Sequence, residues 1–235
     1  MERIYDVIVA GAGPAGSMAA YHLASAGFRV LVLERERLPR YKPCGGGLTE
    51  KAVQELPFPI DDIVERRVAE AEIWFGPNRL LRAANPAVGL MVMRSSFDAH
   101  LVRRAVDAGA DLCDGVAIRR VRAGDGAVVA ETSDGEFVGR ALVGADGANS
   151  VVAKSTGLGA GVDWGIALEA EIDVRAEAIE RPVVFDFRAV PKGYAYVFPK
   201  AGHLSVGVYT AQRVLPGLRC HLDSYLAGDE ALRSG

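Results

Sequence analysis

The chain has 235 residues, half of them hydrophobic and 24% charged, with a net charge of −3. That length allows one large domain or two small ones, and the composition excludes a disordered or collagen-like chain. The absence of any basic block argues against nucleic acid as a partner. Three scattered cysteines, Cys44, Cys113 and Cys220, offer neither metal spacing nor a disulfide framework, so a reducing cytosol is the expected compartment.

The amino end passes from Met-Glu-Arg into an apolar run at 5–10, without the basic start and longer apolar stretch of a signal peptide. A strand buried on both faces is predicted there. Helical spacing of Ala, Met, Tyr and Leu predicts a helix over 14–26, with Gly27 as its C-cap. Arg29-Val-Leu-Val-Leu33 reads as a second buried strand, which completes one βαβ unit. The Pro- and Gly-rich stretch 39–47 is a loop, and 49–56 a short helix. Strands are predicted at 68–75 and 79–82 around a Gly-Pro-Asn turn. Arg94 to Ala108 reads as a helix with Phe97, Leu101, Ala105 and Ala108 on one side. Residues 115–143 read as strands joined by Gly-Asp-Gly and Asp-Gly turns. The last of them carries Asp146 at its carboxyl end.

From 166 the pattern changes. Leu168, Ala170, Ile172 and Val174 alternate with Glu169, Glu171 and Asp173, as in a half-buried antiparallel strand. Further strands are predicted at 183–187, 194–198 and 203–209, and a helix at about 218–228. No run of 18 apolar residues exists, so nothing is expected to span a bilayer. Peripheral membrane contact stays open, although no basic amphipathic helix is apparent.

The segment Asp6-Val-Ile-Val-Ala-Gly-Ala-Gly-Pro-Ala-Gly16 has the spacing of a dinucleotide site. Gly11 permits a tight turn, Gly13 a close approach to a pyrophosphate, and Gly16 close packing of helix on sheet. The helix start at Pro14 and Ala15 offers free N–H groups and a partial positive charge to a diphosphate. Glu34 closes the second strand, where a carboxylate accepts hydrogen bonds from ribose hydroxyls and disfavours a 2′-phosphate. This motif alone leaves NAD and FAD open.

A second motif, Gly144-Ala-Asp-Gly-Ala-Asn-Ser150, resembles the segment that approaches the flavin in p-hydroxybenzoate hydroxylase-like flavoproteins. Within that group, Lys42-Pro-Cys-Gly-Gly-Gly47 and Tyr194-Ala-Tyr-Val-Phe-Pro199, followed by Gly207, are similar to the geranylgeranyl reductase family. That family has Trp where this chain has Tyr196, and Gly where it has Tyr209. The resemblance implies an α/β fold of glutathione reductase/p-hydroxybenzoate hydroxylase type. A discontinuous Rossmann-like FAD-binding domain is expected at 1–65 and 90–160. A partial antiparallel-sheet substrate domain is expected at 66–89 and 161–235. The FAD contacts it implies are Gly11, Gly13, Pro14, Ala15, Gly16, Glu34, Arg35, Cys44, Gly45, Gly47, Arg94, Ala117 and Asp146. The group also carries a second flavin segment, a Gly-Asp-Ala-Ala-Gly type turn, and a helical carboxyl-terminal region. This sequence ends at Gly235 before that point, so it resembles the amino-terminal part of such a protein.

The activity implied is reduction of isoprenoid double bonds by reduced FAD, on an archaeal-type lipid or a prenylated quinone. NAD(P)H and ferredoxin stay open as electron donors. An isolated alkene accepts hydride only if a proton is supplied and positive character is tolerated, which calls for a placed acid and aromatic faces. Tyr194, Tyr196 and Phe198 share one face of their strand by period two, and that face is expected to line an isoprenoid tunnel. Tyr194, Tyr196 and Cys44 are the candidate catalytic residues. The glycines around Cys44 would let its loop lie against a flat ring system. A small buried hydrophobe is the alternative for this cysteine. Cys113 and Cys220 read as packing residues, His22 and His100 as helix residues, and Trp74 and Trp164 as core or pocket wall. Two other functions stay open: an FAD monooxygenase of aromatic compounds, and a non-catalytic flavin-binding piece or half of a split enzyme.

Overall fold

The computed structural model describes residues 4–83, 87–124, 126–159 and 161–233. In chain order the elements begin with β1 (Tyr5–Ala10), α1 (Pro14–Ser25), β2 (Val30–Glu34), β3 (Gly47–Thr49) and α2 (Glu50–Gln54). After a 3-10 turn come β4 (Val64–Val68), β5 (Glu70–Phe75), β6 (Asn78–Ala83) and β7 (Gly89–Val92). Then follow α3 (Arg94–Asp107), β8 (Asp111–Asp114), β9 (Ile118–Gly124), β10 (Ala127–Thr132), β11 (Gly135–Gly144) and α4 (Val151–Thr156). The last stretch holds β12 (Ile166–Asp173), α5 (Ala176–Ile179), β13 (Val183–Asp186), β14 (Gly193–Pro199), β15 (His203–Thr210), α6 (Leu218–Gly228) and α7 (Glu230–Arg233).

The chain divides into two compact units, Met1–Tyr41 with Ser95–Val162, and Lys42–Arg94 with Asp163–Gly235. Segment 42–65, expected with the nucleotide-binding part, groups with the second unit, where β3 and β4 both pair with β7.

The first unit is built on a six-stranded sheet of order β8-β2-β1-β11-β10-β9. Strands β8, β2, β1 and β11 are parallel, and β10 and β9 join as antiparallel hairpins. The predicted βαβ unit is therefore present. Its apolar runs, Val7, Val9, Val30 and Val32, pack on Ala20 and Ala24 of α1 and on Val102 and Ala105 of α3. Small alanines bring α1 close to the sheet. The Gly-Asp-Gly turn between β9 and β10 includes Asp125, which lies outside the described residues.

Two glycines set the turn from β1 into α1. Gly11 has φ +97°, and a β-carbon there would stand 2.5 Å from the Ala145 carbonyl oxygen. At Gly16 a β-carbon would overlap the Gly11 carbonyl oxygen.

The second unit holds a six-stranded sheet of order β12-β15-β14-β13-β5-β6 and a three-stranded sheet β3-β7-β4. One face of the larger sheet carries Ala195, Val197, Leu204, Val206 and Val208, which are covered by Leu218 and Leu222 of α6. Leu168, expected on the buried side of β12, is exposed at 37%. Ala170 and Ile172 do pack on the core beneath α6.

Gly16→Ala is expected to destabilise the chain by about 1–3 kcal/mol, the range of overpacking at a site that cannot move apart. Gly27→Ala, where a β-carbon meets nothing within 4 Å, should cost only the left-handed backbone, about 1–2 kcal/mol. Urea unfolding of both variants checks the pair; an unchanged midpoint for Gly16→Ala would contradict this packing.

Candidate functional site

The residues singled out from the sequence fall into two groups. The first unit carries Gly11 to Gly16, Glu34, Arg35, Ala117 and Asp146; the second carries Cys44, Gly45, Gly47, Arg94, Tyr194 and Tyr196.

In the first group, Gly13 is the informative glycine. It caps α1 with φ −73°, a conformation open to any residue, and a β-carbon there would meet only Arg40 Nη2, at 3.8 Å. Neither backbone nor packing requires glycine at this position, whereas close approach of a ligand would. α1 begins with Pro14 and has no acidic residue in its first turn. Its first N–H groups thus keep their capacity for an anion. This is the chemistry a dinucleotide diphosphate fits.

Glu34 is buried, and both its oxygens accept backbone N–H groups: Oε2 from Ala12 at 2.8 Å and Oε1 from Glu36 at 3.1 Å. It therefore ties the glycine turn to the end of β2. Arg40 Nε lies 3.6 Å from Glu34 Oε1, and Arg40 Nη1 lies 2.9 Å from Asp98 Oδ2. Asp98 is wholly buried on α3. Arg35 is exposed beside Glu36. The Ala117 carbonyl accepts the Ser133 N–H at 3.1 Å. Asp146 has a structural role. Its Oδ1 accepts the Ser150 hydroxyl at 2.6 Å, and its Oδ2 accepts the Val151 and Val152 amides at 2.7 and 3.2 Å. It caps α4, a helix that the sequence pattern does not reveal.

In the second unit, the register of the larger sheet sets one row of residues side by side. Glu169 faces Gly207, Gly207 faces Tyr196, Tyr196 faces Phe185, and Phe185 faces Ile73. Tyr194, Tyr196 and Phe198 do share a face, as predicted, and their rings form a chain with Phe185, Phe187 and Tyr209. A β-carbon at Gly207 would overlap the Tyr196 ring. Across that gap the Tyr196 hydroxyl donates to Glu169 Oε2 at 2.9 Å.

Burial, and then the Glu169 charge beside it, raise the Tyr196 phenol well above the ordinary tyrosine range. Burial likewise raises the Glu169 carboxyl, against the opposing influences of the Tyr196 hydroxyl and the Lys200 charge. Burial and the neighbouring Tyr209 raise the Tyr194 phenol. Among the described residues, Ser205 Oγ and His203 Nε2 are buried without a hydrogen-bond partner. Ser205 lies opposite Phe198 in the ladder.

Cys44 is exposed, not a buried packing residue. It lies within electrostatic reach of Tyr194, Tyr196 and Lys200. The structure thus brings the three candidate catalytic residues together. The glycines beside Cys44 also have a purpose within the protein. A β-carbon at Gly45 would stand 2.6 Å from the Phe198 ring and 2.9 Å from that of Tyr196, and one at Gly47 2.8 Å from Phe198. The flat rings this loop clears are therefore side chains of β14. Cys220, read as a packing residue, is exposed, while Cys113 packs beside the first unit's core. Trp164 is also exposed, whereas Trp74 packs against the α6-side core with the Arg188 guanidinium 4.0 Å from its ring centre.

Sequence reasoning misses Glu169 and Lys200. Alternation puts Glu169 on the polar side of its strand, and that side is the aromatic face. Lys200 is wholly buried; its Nζ donates to the Gly45 and Val92 carbonyls, each at 2.6 Å. Its position two residues after Phe198 is the available signal, because it continues the parity of Tyr194 and Tyr196.

The comparisons with known proteins agree with the fold. The chain matches the FAD binding domain family over residues 4–199. Digeranylgeranylglycerophospholipid reductase 1 of Methanopyrus kandleri is 35% identical over 218 residues, 87% of this chain and 57% of that protein. The chloroplastic geranylgeranyl diphosphate reductase of Oryza sativa subsp. japonica is 33% identical over 238 residues, 88% of this chain and 49% of that protein. Among solved structures, a geranylgeranyl bacteriochlorophyll reductase-like protein of Thermoplasma acidophilum has a TM-score of 0.88 at 27% identity, covering 100% of this chain and 64% of that one. The chain spans only 49–57% of these two curated relatives. Among the described residues, no helix is long and apolar enough to cross a membrane.

Burial lowers the Lys200 ammonium from 10.5 to about 8. The sign follows from proton linkage. Between about 8 and 10.5 the folded chain binds fewer protons at this site than the unfolded chain, so stability rises with pH through that window. The penalty on the charged form is fully present below about 8. Its size is about 3 kcal/mol. Chemical unfolding at pH 7 and pH 10.5, compared between wild type and Lys200→Met, should show this gain in the wild type alone. A pH dependence shared equally by both proteins would contradict it.

Proposed function

The chain belongs to the FAD binding domain family, and from that premise we propose that it is the flavin- and substrate-binding part of an FAD-dependent reductase of isoprenoid double bonds. The substrate class is a geranylgeranyl chain carried by a lipid or a quinone. The observation that carries this reading is the Tyr196–Glu169 pair set within an aromatic face. The named relatives, a geranylgeranyl diphosphate reductase and a digeranylgeranylglycerophospholipid reductase, support the same substrate class.

The turn Gly11 to Gly16 and the amides that open α1 would hold the diphosphate of FAD, with Glu34 and Arg35 on its adenosine side, Arg94 on its ribityl–diphosphate side, and Ala117 and Asp146 as further contacts. FAD, when bound and reduced, supplies hydride for a carbon–carbon double bond. The remaining demands fall on side chains of this chain. The rings of Tyr194, Tyr196, Phe185 and Phe198 offer their faces to a carbon that becomes cation-like. They also keep water from it.

The proton comes from the pair. With Glu169 ionised, the Tyr196 hydroxyl points to the carboxylate. With Glu169 protonated, the carboxyl donates to the phenol oxygen, and the phenolic hydrogen turns toward the aromatic face. A proton leaving Tyr196 Oη for carbon is then replaced from Glu169, so no phenolate accumulates. Burial favours this protonated state of Glu169. Cys44 is a second proton-bearing group beside the same phenols.

The test mixes anaerobically reduced, FAD-loaded protein with a geranylgeranyl substrate. Reoxidation of the flavin without oxygen, with a product gaining two hydrogens per bond reduced, is the expected result. Reoxidation by oxygen alone, with a hydroxylated product, would instead identify a monooxygenase. Tyr196→Phe should retain FAD and slow single-turnover reduction roughly 100-fold, the lower range for loss of a general acid. The wild-type rate should fall as rising pH deprotonates Glu169, and Glu169→Gln should lose that limb. Equal turnover by Tyr196→Phe would remove the phenol from the chemistry.

A further inference from the structure

We infer that Lys200 is a positioning residue that fixes the Cys44–Gly47 loop against the aromatic face of β14. The catalytic consequence of this inference rests on the function proposed above; the positioning itself does not.

The geometry is a three-way tie. Lys200 ends β14, on the face that carries Tyr196 and Phe198, and its side chain is wholly buried. Its Nζ donates at 2.6 Å to the carbonyl of Gly45, in the loop, and at 2.6 Å to that of Val92, which ends β7. The Val92 N–H returns a hydrogen bond to the Gly46 carbonyl at 2.9 Å. Gly46 has φ +64°, and a β-carbon there would stand 2.6 Å from Nζ and overlap the Val92 carbonyl oxygen. One ammonium thus joins loop, β7 and β14, and the glycine at 46 leaves it room.

Stability alone does not account for this arrangement. Burying an ammonium carries a desolvation penalty, and an apolar side chain of similar length would fill the space at lower cost. What the lysine adds is direction: two charge-assisted donors aimed at two carbonyls that no apolar residue could satisfy. The groups that face the ammonium are Glu169 and Glu171 of β12, Glu65 of β4 and the Cys44 thiol of the loop itself. The three carboxylates favour the protonated lysine, and burial opposes it. A neutral amine keeps two N–H donors and sheds the desolvation penalty, so deprotonation of Lys200 leaves the loop tied.

Amide hydrogen exchange on the whole chain tests this without flavin or substrate. Peptides covering the loop and β3 are compared with reference peptides from β15 and β1, in wild type, Lys200→Met and Lys200→Arg. In Lys200→Met, loop protection should fall about tenfold while the references stay within twofold. Lys200→Arg, which keeps N–H donors and the charge, should recover part of that protection. If Lys200→Met also loses reference protection, Lys200→Arg decides. A Lys200→Arg loop no better protected than that of Lys200→Met, or a Lys200→Met loop as protected as the wild type, overturns the inference. A loosened loop in Lys200→Met with undiminished alkene reduction would uphold the positioning role and count against the loop's part in the proposed chemistry.

Discussion

The missing side chain at Gly207 is the constraint on which the candidate site depends. β15 runs between β12 and β14, so any side chain at 207 would stand between Glu169 and Tyr196. With none there, the Tyr196 ring lies over the strand and its hydroxyl reaches the carboxylate. Both groups are thereby half-buried, and that burial pushes both toward their protonated forms. A phenol and a carboxyl that favour their protons, hydrogen-bonded to each other on an aromatic surface, form an acid suited to an unactivated alkene.

Glycine plays distinct parts elsewhere in the chain, and the distinction separates packing from binding. Gly11 and Gly16 are required by neighbouring backbone, and Gly45 and Gly47 by the rings of Phe198 and Tyr196. Gly13 is required by none of these. Its room for a side chain, at the start of a helix whose first turn lacks an acid, fits the diphosphate contact proposed for it. Two acids of the first unit serve as scaffolding: Glu34 holds the Ala12 amide of that turn, and Asp146 holds the start of α4. A motif residue can thus have a structural role that its sequence pattern does not announce.

Much of the fold was legible because its signals are periodic. The apolar runs of β1 and β2, the helical spacing of α1 and α3, and the alternation of β12 and β14 each gave the right element within a few residues. The short strands β3, β4 and β7 escaped, because three to five residues give too little periodicity to read. α4 escaped because only six residues form it and its stability comes from caps by Asp146 and Ser150. In the site, Tyr194, Tyr196 and Cys44 were legible through residue type and resemblance. Glu169 was not, since alternation reveals that a strand has two faces but not what covers each. Lys200 was not, because lysine is ordinarily a surface residue and its burial depends on carbonyls brought from distant segments.

The most direct measurement is the titration of Tyr196 itself, followed by NMR of protein carrying ring-labelled tyrosine, with its resonance assigned by Tyr196→Phe. An ordinary tyrosine ionises near about 10. The Tyr196 resonance should stay unshifted through that pH while the fold is intact, and should move toward ordinary behaviour in Gly207→Ala, where the ring is displaced from the strand. Ionisation of Tyr196 near the ordinary value in the wild-type protein would contradict the half-buried pair, and with it the acid on which the proposed reduction relies.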